Sequence, residues 1–564
     1  MGGKVPSLLA LLLLLLAAQR APALRQTPRA ALTRTDENTK PLAKTNPLKT
    51  LKLKRKLKKL LAWKKVYILL APAFIAHTGL RSQKNKKIQN IRSRLTALDD
   101  NQVHISIVTT ASIPWMTGTA VNPLLRAAYL GSMGRRVTLV LPWLHPSDQG
   151  SVFPGGKSFT SPNEQEVHIR DWLIGRANMG RSQAHSFQIK WYAARYDTDR
   201  GSILPLGDIT RVFASEESDI CVLEEPEHLT WYHSGHNWRH RFKLVVGIVH
   251  TNYIYYAKMY LGSAHANILR QLNIWMCGAY CDRVIKLSDA IQPLPRAVVC
   301  NVHGVRGTFI DIGRQASSRL HRWRKGAYFL GKVLWAKGHR LLLEYLALQR
   351  ELNLSPTHID VYGSGEDLPA VKAAVTEMGL DVDFIRPMDH SSRELRQYKV
   401  FVNPSQSEVL STTTAEALAM GKFVVIQRHP SNEFFLQFRN TLAYDSPREF
   451  LHALEHALDS EPTPLSAEER LALSWQGATD RFLGMLSNCS HGNLIPSLAD
   501  HTTRWVHSSI QRGGPIGDII RSASGAGPVA RQSWLSDPTL RQASEAEIAA
   551  RSVEHTPPIA ITRS

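Results

Sequence analysis

The chain has 564 residues, 43% of them apolar, and a formal net charge of +22; that is more than one ordinary domain and enough to bury substantial cores. The charge is local, because residues 1–100 hold 22 Lys/Arg and 4 Asp/Glu, a balance of +18, which leaves +4 for the other 464 residues. A phosphate-tracking surface needs cations across the folded face, so nucleic acid is not expected as a partner of the body, and five scattered cysteines fit ordinary thiols of a reducing compartment rather than a disulfide framework.

Residues 1–65 read as a targeting leader with a membrane-contacting segment. Leu8 to Ala18 is an apolar run of 11 residues followed by Ala21-Pro-Ala23, the length and small-residue end of a signal-peptide core rather than a membrane span. Residues 24–50 are rich in Arg, Lys and Thr with Asp36 and Glu37 as the only acids, which resembles an organelle transit segment. The succession suggests two-stage import, as into a plastid reached through the secretory route. Within residues 51–65, Leu53, Leu57, Leu60 and Leu61 share one helical face with Trp63 at its rim and cations elsewhere. This is the pattern of a basic interfacial helix, and each Lys near an anionic lipid surface contributes about 1 kcal/mol. The competing reading is a cleaved leader that never meets the substrate. Residues 66–102 serve as a linker that opens with the apolar stretch Val66 to Ala76.

From Val103 the chain alternates short apolar runs with helical patterns, the sign of parallel α/β units. Strands are expected at Val103–Thr109, Arg136–Leu141, Asp219–Leu223, Leu244–Val249 and Arg283–Leu287. Between the first two, Gly118-Thr119 precedes a helix over Leu124–Met133. A glycine turn from strand to helix leaves backbone N–H groups beside a positive helix end, a seat for a phosphate or a sugar hydroxyl, although tight packing alone also selects glycine there. Residues 297–312 read as a crossing into a second series, with strands at Ala327–Gly331, His358–Tyr362, Val382–Ile385, Val400–Asn403 and Phe423–Ile426. Helices are expected at Arg340–Glu351, Leu368–Met378, Ser411–Met420 and Arg448–Leu458. The fold expected is α/β, with two Rossmann-like doubly wound domains, 103–301 and 302–492, facing across a cleft at the carboxyl ends of their sheets. Residues 493–564 lose periodicity and read as a disordered tail.

The second series carries the densest chemistry. Gly331-Lys332-Val-Leu-Trp-Ala-Lys337-Gly338 ends a strand with two lysines five apart, which can converge on a diphosphate and offset the charge that develops as it leaves. Tyr362-Gly363-Ser-Gly365-Glu366 is a second strand-end glycine turn suited to close approach by a base or ribose. Glu408 and Glu416 stand eight apart: with a helix starting near Ser411, the first lies in the loop before it and the second on its second turn. Each element alone fits a solvated surface; together they follow the order of one nucleotide site.

These motifs resemble the GT-B-fold retaining glycosyltransferases of family GT4, whose G-[RK]-x4-KG, G-x-G and E-x7-E elements match Lys332 and Lys337, Gly363 and Gly365, and Glu408 and Glu416. Lys332 stands where many members have arginine. Gly118, Thr119 and His250 match the first-domain contributions, His250 being similar to the family's active-site histidine. Segments between about residues 103 and 446 resemble, more narrowly, the members that add a second galactose to a galactolipid. The resemblance implies transfer of galactose from UDP-galactose to monogalactosyldiacylglycerol with retention, at a membrane surface with anionic lipids, peripherally on a plastid envelope. It further implies Lys332 and Lys337 on the diphosphate, Gly118 and Thr119 as backbone donors, Glu408 on the donor sugar, Glu416 on the ribose, and His250 near the reacting carbon. Glu224-Glu225-Pro-Glu227-His228 could be read as a metal site, but no Asp-x-Asp element accompanies it and the lysines supply the positive charge, so no bound cofactor or metal is expected. Another GT4 enzyme with a soluble acceptor, or an inactive scaffold, would share these donor-site residues.

Overall fold

The computed structural model describes residues 102–511 apart from 199–200, 233–237, 261, 318–322 and 488–496, together with isolated positions before residue 102. The expectations for residues 1–65 and for most of the linker lie outside the described residues. No helix among the described residues is long and apolar enough to cross a membrane.

The first domain is built on an eight-stranded sheet: β1 (His104–Val108), β2 (Arg136–Leu144), β3 (Gln188–Asp197), β4 (Ser202–Pro205), β5 (Ile220–Glu224), β6 (Leu244–Val249), β7 (Arg283–Lys286) and β8 (Ala297–Val299), in the order β4-β3-β2-β1-β5-β6-β7-β8. All pairs are parallel except β3 with β4. Strands β1, β5 and β6 are buried along their whole length, because helices cover both faces of a parallel sheet and each strand must then be apolar on both sides. The second domain is a six-stranded parallel sheet: β9 (Lys325–Leu330), β10 (Ile359–Tyr362), β11 (Val382–Ile385), β12 (Tyr398–Asn403), β13 (Phe423–Gln427) and β14 (Thr441–Tyr444), in the order β11-β10-β9-β12-β13-β14. Val361, Val400 and Val425 form its buried centre with Leu342 and Phe450 from flanking helices.

Strand order reverses between β1 and β5 in the first sheet and between β9 and β12 in the second. At such a switch point neighbouring loops part in opposite directions and leave a crevice at the carboxyl ends. Glu224 ends β5, Gly118 opens the helix that follows β1, and the segments after β6, β9 and β12 carry His250, Lys337 and Glu408 respectively.

The C-terminal helices return to the first domain, which corrects the expectation that residues up to 492 belong to the second. The backbone N–H of Val305 donates to the carbonyl of Leu473 at 2.8 Å, and the following helix, Trp475–Ser487, stacks Trp475 on Tyr129 at 6.1 Å between centroids. The chain beyond residue 493 is not all structureless either: Leu498–Gln511 is a helix. It docks on Ser263–Tyr280 through a Tyr280–His507 hydrogen bond at 2.6 Å and on the segment before β8 through an Arg296–Asp500 ion pair at 2.9 Å. Its buried contacts are polar, made by Thr503 and His507.

Candidate active site

In the second domain, backbone contact sets the positions of the charged groups. A Cβ on Gly363 would lie 1.9 Å from the Gly331 carbonyl oxygen, and one on Gly365 would lie 2.2 Å from that of Val333. The glycine turn is therefore pressed onto the loop that carries Lys332, and N–H groups of Gly331 and Val333 donate across to Tyr362 and Ser364 at 3.0 Å each. Gly338 is left-handed at φ +88°, and a Cβ there would meet the Pro404-Ser405 backbone at 2.8 Å. That close approach seats Lys337 against the next loop, where its Nζ donates to Glu408 Oε1 at 2.7 Å. Burial alone would lower the Lys337 pKa, but the carboxylate of Glu408 and the nearby Tyr256 outweigh it and raise the value well above the ordinary lysine range. Lys332 is exposed and makes no ion pair among the described residues.

Glu408 and Glu416 serve different partners. The helix α1 (Thr412–Ala419) is capped by Ser411, whose Oγ accepts from the N–H of Thr414, and it ends before left-handed Gly421. Asn403 at the end of β12 donates to Ser411 Oγ at 2.9 Å, so strand, loop and helix start are tied together. Glu416, on the second turn as expected, bonds His390 Nδ1 at 2.8 Å, and the other ring nitrogen meets Tyr328 OH at 2.6 Å. His390 was not singled out from the sequence; its only signal is its place just after the β11 strand end. Burial lowers its pKa and Glu416 partly restores it.

In the first domain, Gly118 and Thr119 open the helix α2 (Gly118–Ser132), which precedes α1 in the chain. Their N–H groups have no partner among the described residues, while Thr117 accepts from the N–H groups of Ala120 and Val121. His250 follows β6 and bonds the Glu224 carboxylate through Nε2. Glu224 is fully buried and also accepts from Arg126 Nε at 2.9 Å. Burial opposes its ionisation, but Arg126 and His250 prevail and hold its pKa below the usual carboxylate range. Arg126, a lone charge in the apolar run of α2, donates in addition to the Val302 carbonyl at 2.9 Å.

The acidic run thus divides into three roles. Glu225, left-handed at φ 64°, accepts from the hydroxyls of Thr110, Thr251 and Tyr253 at 2.8, 2.6 and 2.8 Å. Glu227 is buried with neither oxygen bonded, and burial together with Glu225 pushes its pKa up to about 8. Glu224, His250 and His303 bring potential ligand atoms within 4.8 Å of one another, a set that could take a divalent ion. The Arg126 guanidinium already neutralises Glu224 there, which disfavours a second cation.

The two domains meet at the site. Lys337 Nζ lies 5.9 Å from the ring centroid of Tyr256, Ser288 Oγ donates to the Val409 carbonyl, and Asp389 pairs with Arg176 at 3.0 Å and Arg306 at 3.4 Å. These last three residues border a cavity of about 390 Å³, and Asp389 adjoins the His390 that holds Glu416.

Residues 324–460 match the family described as Glycosyl transferases group 1. Digalactosyldiacylglycerol synthase 2, chloroplastic, of Arabidopsis thaliana is 46% identical over 427 residues, covering 75% of this chain and 89% of that protein. Digalactosyldiacylglycerol synthase 1, chloroplastic, of Lotus japonicus is 49% identical over 392 residues, covering 68% of this chain and 49% of that protein. The chain therefore spans about half the length of the synthase 1 relatives it matches. Anabaena HepE in complex with UDP aligns at 12% identity over 68% of this chain and 97% of that chain, with a TM-score of 0.41. The chain belongs to the digalactosyldiacylglycerol synthase family.

Proposed function

We propose that this protein transfers galactose from UDP-galactose to monogalactosyldiacylglycerol with retention, releasing UDP, at a plastid envelope membrane. The observation that carries this reading is the assembly at facing switch points: Lys337 paired with Glu408 in one domain, and His250 held by Glu224 in the other. In the proposed step the bond from the galactose anomeric carbon to the diphosphate oxygen breaks, and a bond to an acceptor hydroxyl oxygen forms on the same face. The hydroxyl proton passes to the departing phosphate. Lys332 and Lys337 offset the diphosphate charge, and the N–H groups of Gly118 and Thr119 add donors at a helix end. Gly363 and Gly365 keep the nucleotide-side loop close enough for this arrangement. Glu408 binds donor-sugar hydroxyls, Glu416 binds the ribose diol, where a carboxylate makes strong hydrogen bonds, and His250 lies beside the reacting carbon.

A divalent ion has no part in this scheme, and activity is expected to survive EDTA. The basic segment at residues 51–65 would hold the enzyme on anionic lipid, so a chain lacking residues 1–65 should no longer sediment with anionic vesicles. The deciding experiment incubates the protein with labelled UDP-galactose and monogalactosyldiacylglycerol and resolves the products. Label in digalactosyldiacylglycerol is the expected result; label only in a soluble sugar, or no transfer, overturns the reading.

A further inference from the structure

We propose that Glu224 is a positioning residue that fixes the tautomer of His250, so that His250 Nδ1 presents a lone pair to a hydroxyl of the donor sugar. This rests on the function proposed above for the cleft. Glu224 offers only acceptors in its ionised state, and its Oε2 faces His250 Nε2. The hydrogen must then sit on Nε2. In the neutral ring Nδ1 is left without a hydrogen, and it has no partner among the described residues. A sugar hydroxyl can donate to it.

Glu224 is fitted for this task by its surroundings. Its side chain is fully buried, where a lone carboxylate would take up a proton and lose its hold on the tautomer. Arg126 prevents that through its bond to Oε1 at 2.9 Å. Arg126 is itself anchored: its guanidinium lies 5.8 Å from the Trp475 ring centroid and 5.1 Å from that of Phe482, and it holds the Val302 carbonyl. The neighbouring carbonyl of Asn301 accepts from Arg481 Nε at 2.6 Å. A Cβ on Gly304 would lie 2.4 Å from the backbone N of Trp475, so the interdomain crossing and the returning helix are in close contact. The tautomer of His250 is thereby tied to the strap that joins the domains. His303, whose ring centroid lies 4.8 Å from that of His250, is kept neutral by burial and by the positive groups around it, and its Nε2 makes no hydrogen bond among the described residues, which leaves Glu224 Oε2 to His250.

The test is Glu224→Gln, whose amide can donate to Nε2 and favour the opposite tautomer, as an Asp→Asn change does beside a catalytic histidine. The chain is labelled with ¹⁵N-histidine, and His250→Gln assigns the His250 signal. Wild type is expected to show hydrogen on Nε2, and Glu224→Gln to move it to Nδ1, with kcat reduced about 100-fold and the KM for UDP-galactose little changed. The double variant Arg126→Gln with Glu224→Gln removes the buried charge imbalance; its melting temperature should recover while kcat stays low. Wild-type tautomer and kcat in Glu224→Gln would overturn the proposal. If wild type transfers no galactose, the functional reading fails, and the ¹⁵N spectra still decide whether Glu224 sets the tautomer.

Discussion

Replacing Gly118 with Ala puts a methyl group at the first residue of α2, where the nearest atom it would meet is Asn122 Nδ2 at 3.5 Å. That is ordinary van der Waals contact, and Gly118 is not among the left-handed glycines, so the fold has no use for the missing side chain. Alanine is the better helix former by up to about 1 kcal/mol, which would raise the melting temperature by roughly 2–4 °C. A ligand would feel the change differently. Phosphate oxygens reach backbone N–H groups at about 2.9 Å, and a methyl group beside Gly118 and Thr119 holds them off. Losing one hydrogen bond to a charged group costs about 1.5–3 kcal/mol, or roughly 10–150-fold in affinity. Thermal melting and calorimetric titration with UDP measure the two effects on the same sample. Unchanged UDP affinity would refute the role of this turn as a phosphate seat, and a melting temperature lowered by more than about 5 °C would refute the claim that the space is open.

Gly365→Ala should act in the opposite way, because its Cβ meets the Val333 backbone: the Lys332 loop must shift by about 1 Å, with activity reduced roughly 100-fold and stability lowered by about 1–3 kcal/mol, as read by kcat/KM and urea unfolding. Glu416→Ala should raise the KM for UDP-galactose at least about 10-fold through loss of a charged acceptor on the ribose, and normal donor binding would dismiss that assignment. Glu227→Gln tests a pH effect: the folded pKa of about 8 lies above the unfolded carboxylate value, so the folded chain binds the extra proton and wild-type stability is full at low pH and falls as pH rises toward 8. The variant should lose that slope, and its urea midpoint should exceed that of wild type by more at pH 8 than at pH 5.

Strand runs in the sequence located ten of the strands within a few residues, since buried parallel strands are nearly continuous apolar stretches. The strands that escaped are informative. Gln188–Asp197 is half-buried, with Lys190 and Arg195 in its middle, Ser202–Pro205 is its antiparallel edge partner, and Ala297–Val299 and Thr441–Tyr444 are short edge strands. At the site, Lys332, Lys337, the glycine turn and the two glutamates were legible because one loop or one helix turn fixes their spacing. The partners of those residues were not: Arg126 and Glu224 stand 98 residues apart, and only the strand order β1-β5-β6 brings them to His250.

Three of the proposed substrate clamps thus have a second group behind them drawn from a distant part of the chain: Glu408 behind Lys337, His390 and Tyr328 behind Glu416, Glu224 and Arg126 behind His250. Several of these supports also join the domains. Tyr256 of the first domain faces Lys337 of the second, and Arg176 and Arg306 grip Asp389 beside His390. Any opening of the cleft that parts Tyr256 from Lys337 or Arg176 from Asp389 loosens the supports of both the diphosphate clamp and the ribose clamp. On the proposed mechanism, assembly of the donor site and closure of the domains would then be one event, with water excluded from the reacting carbon at the stage when the charged groups are in place to stabilise the departing diphosphate.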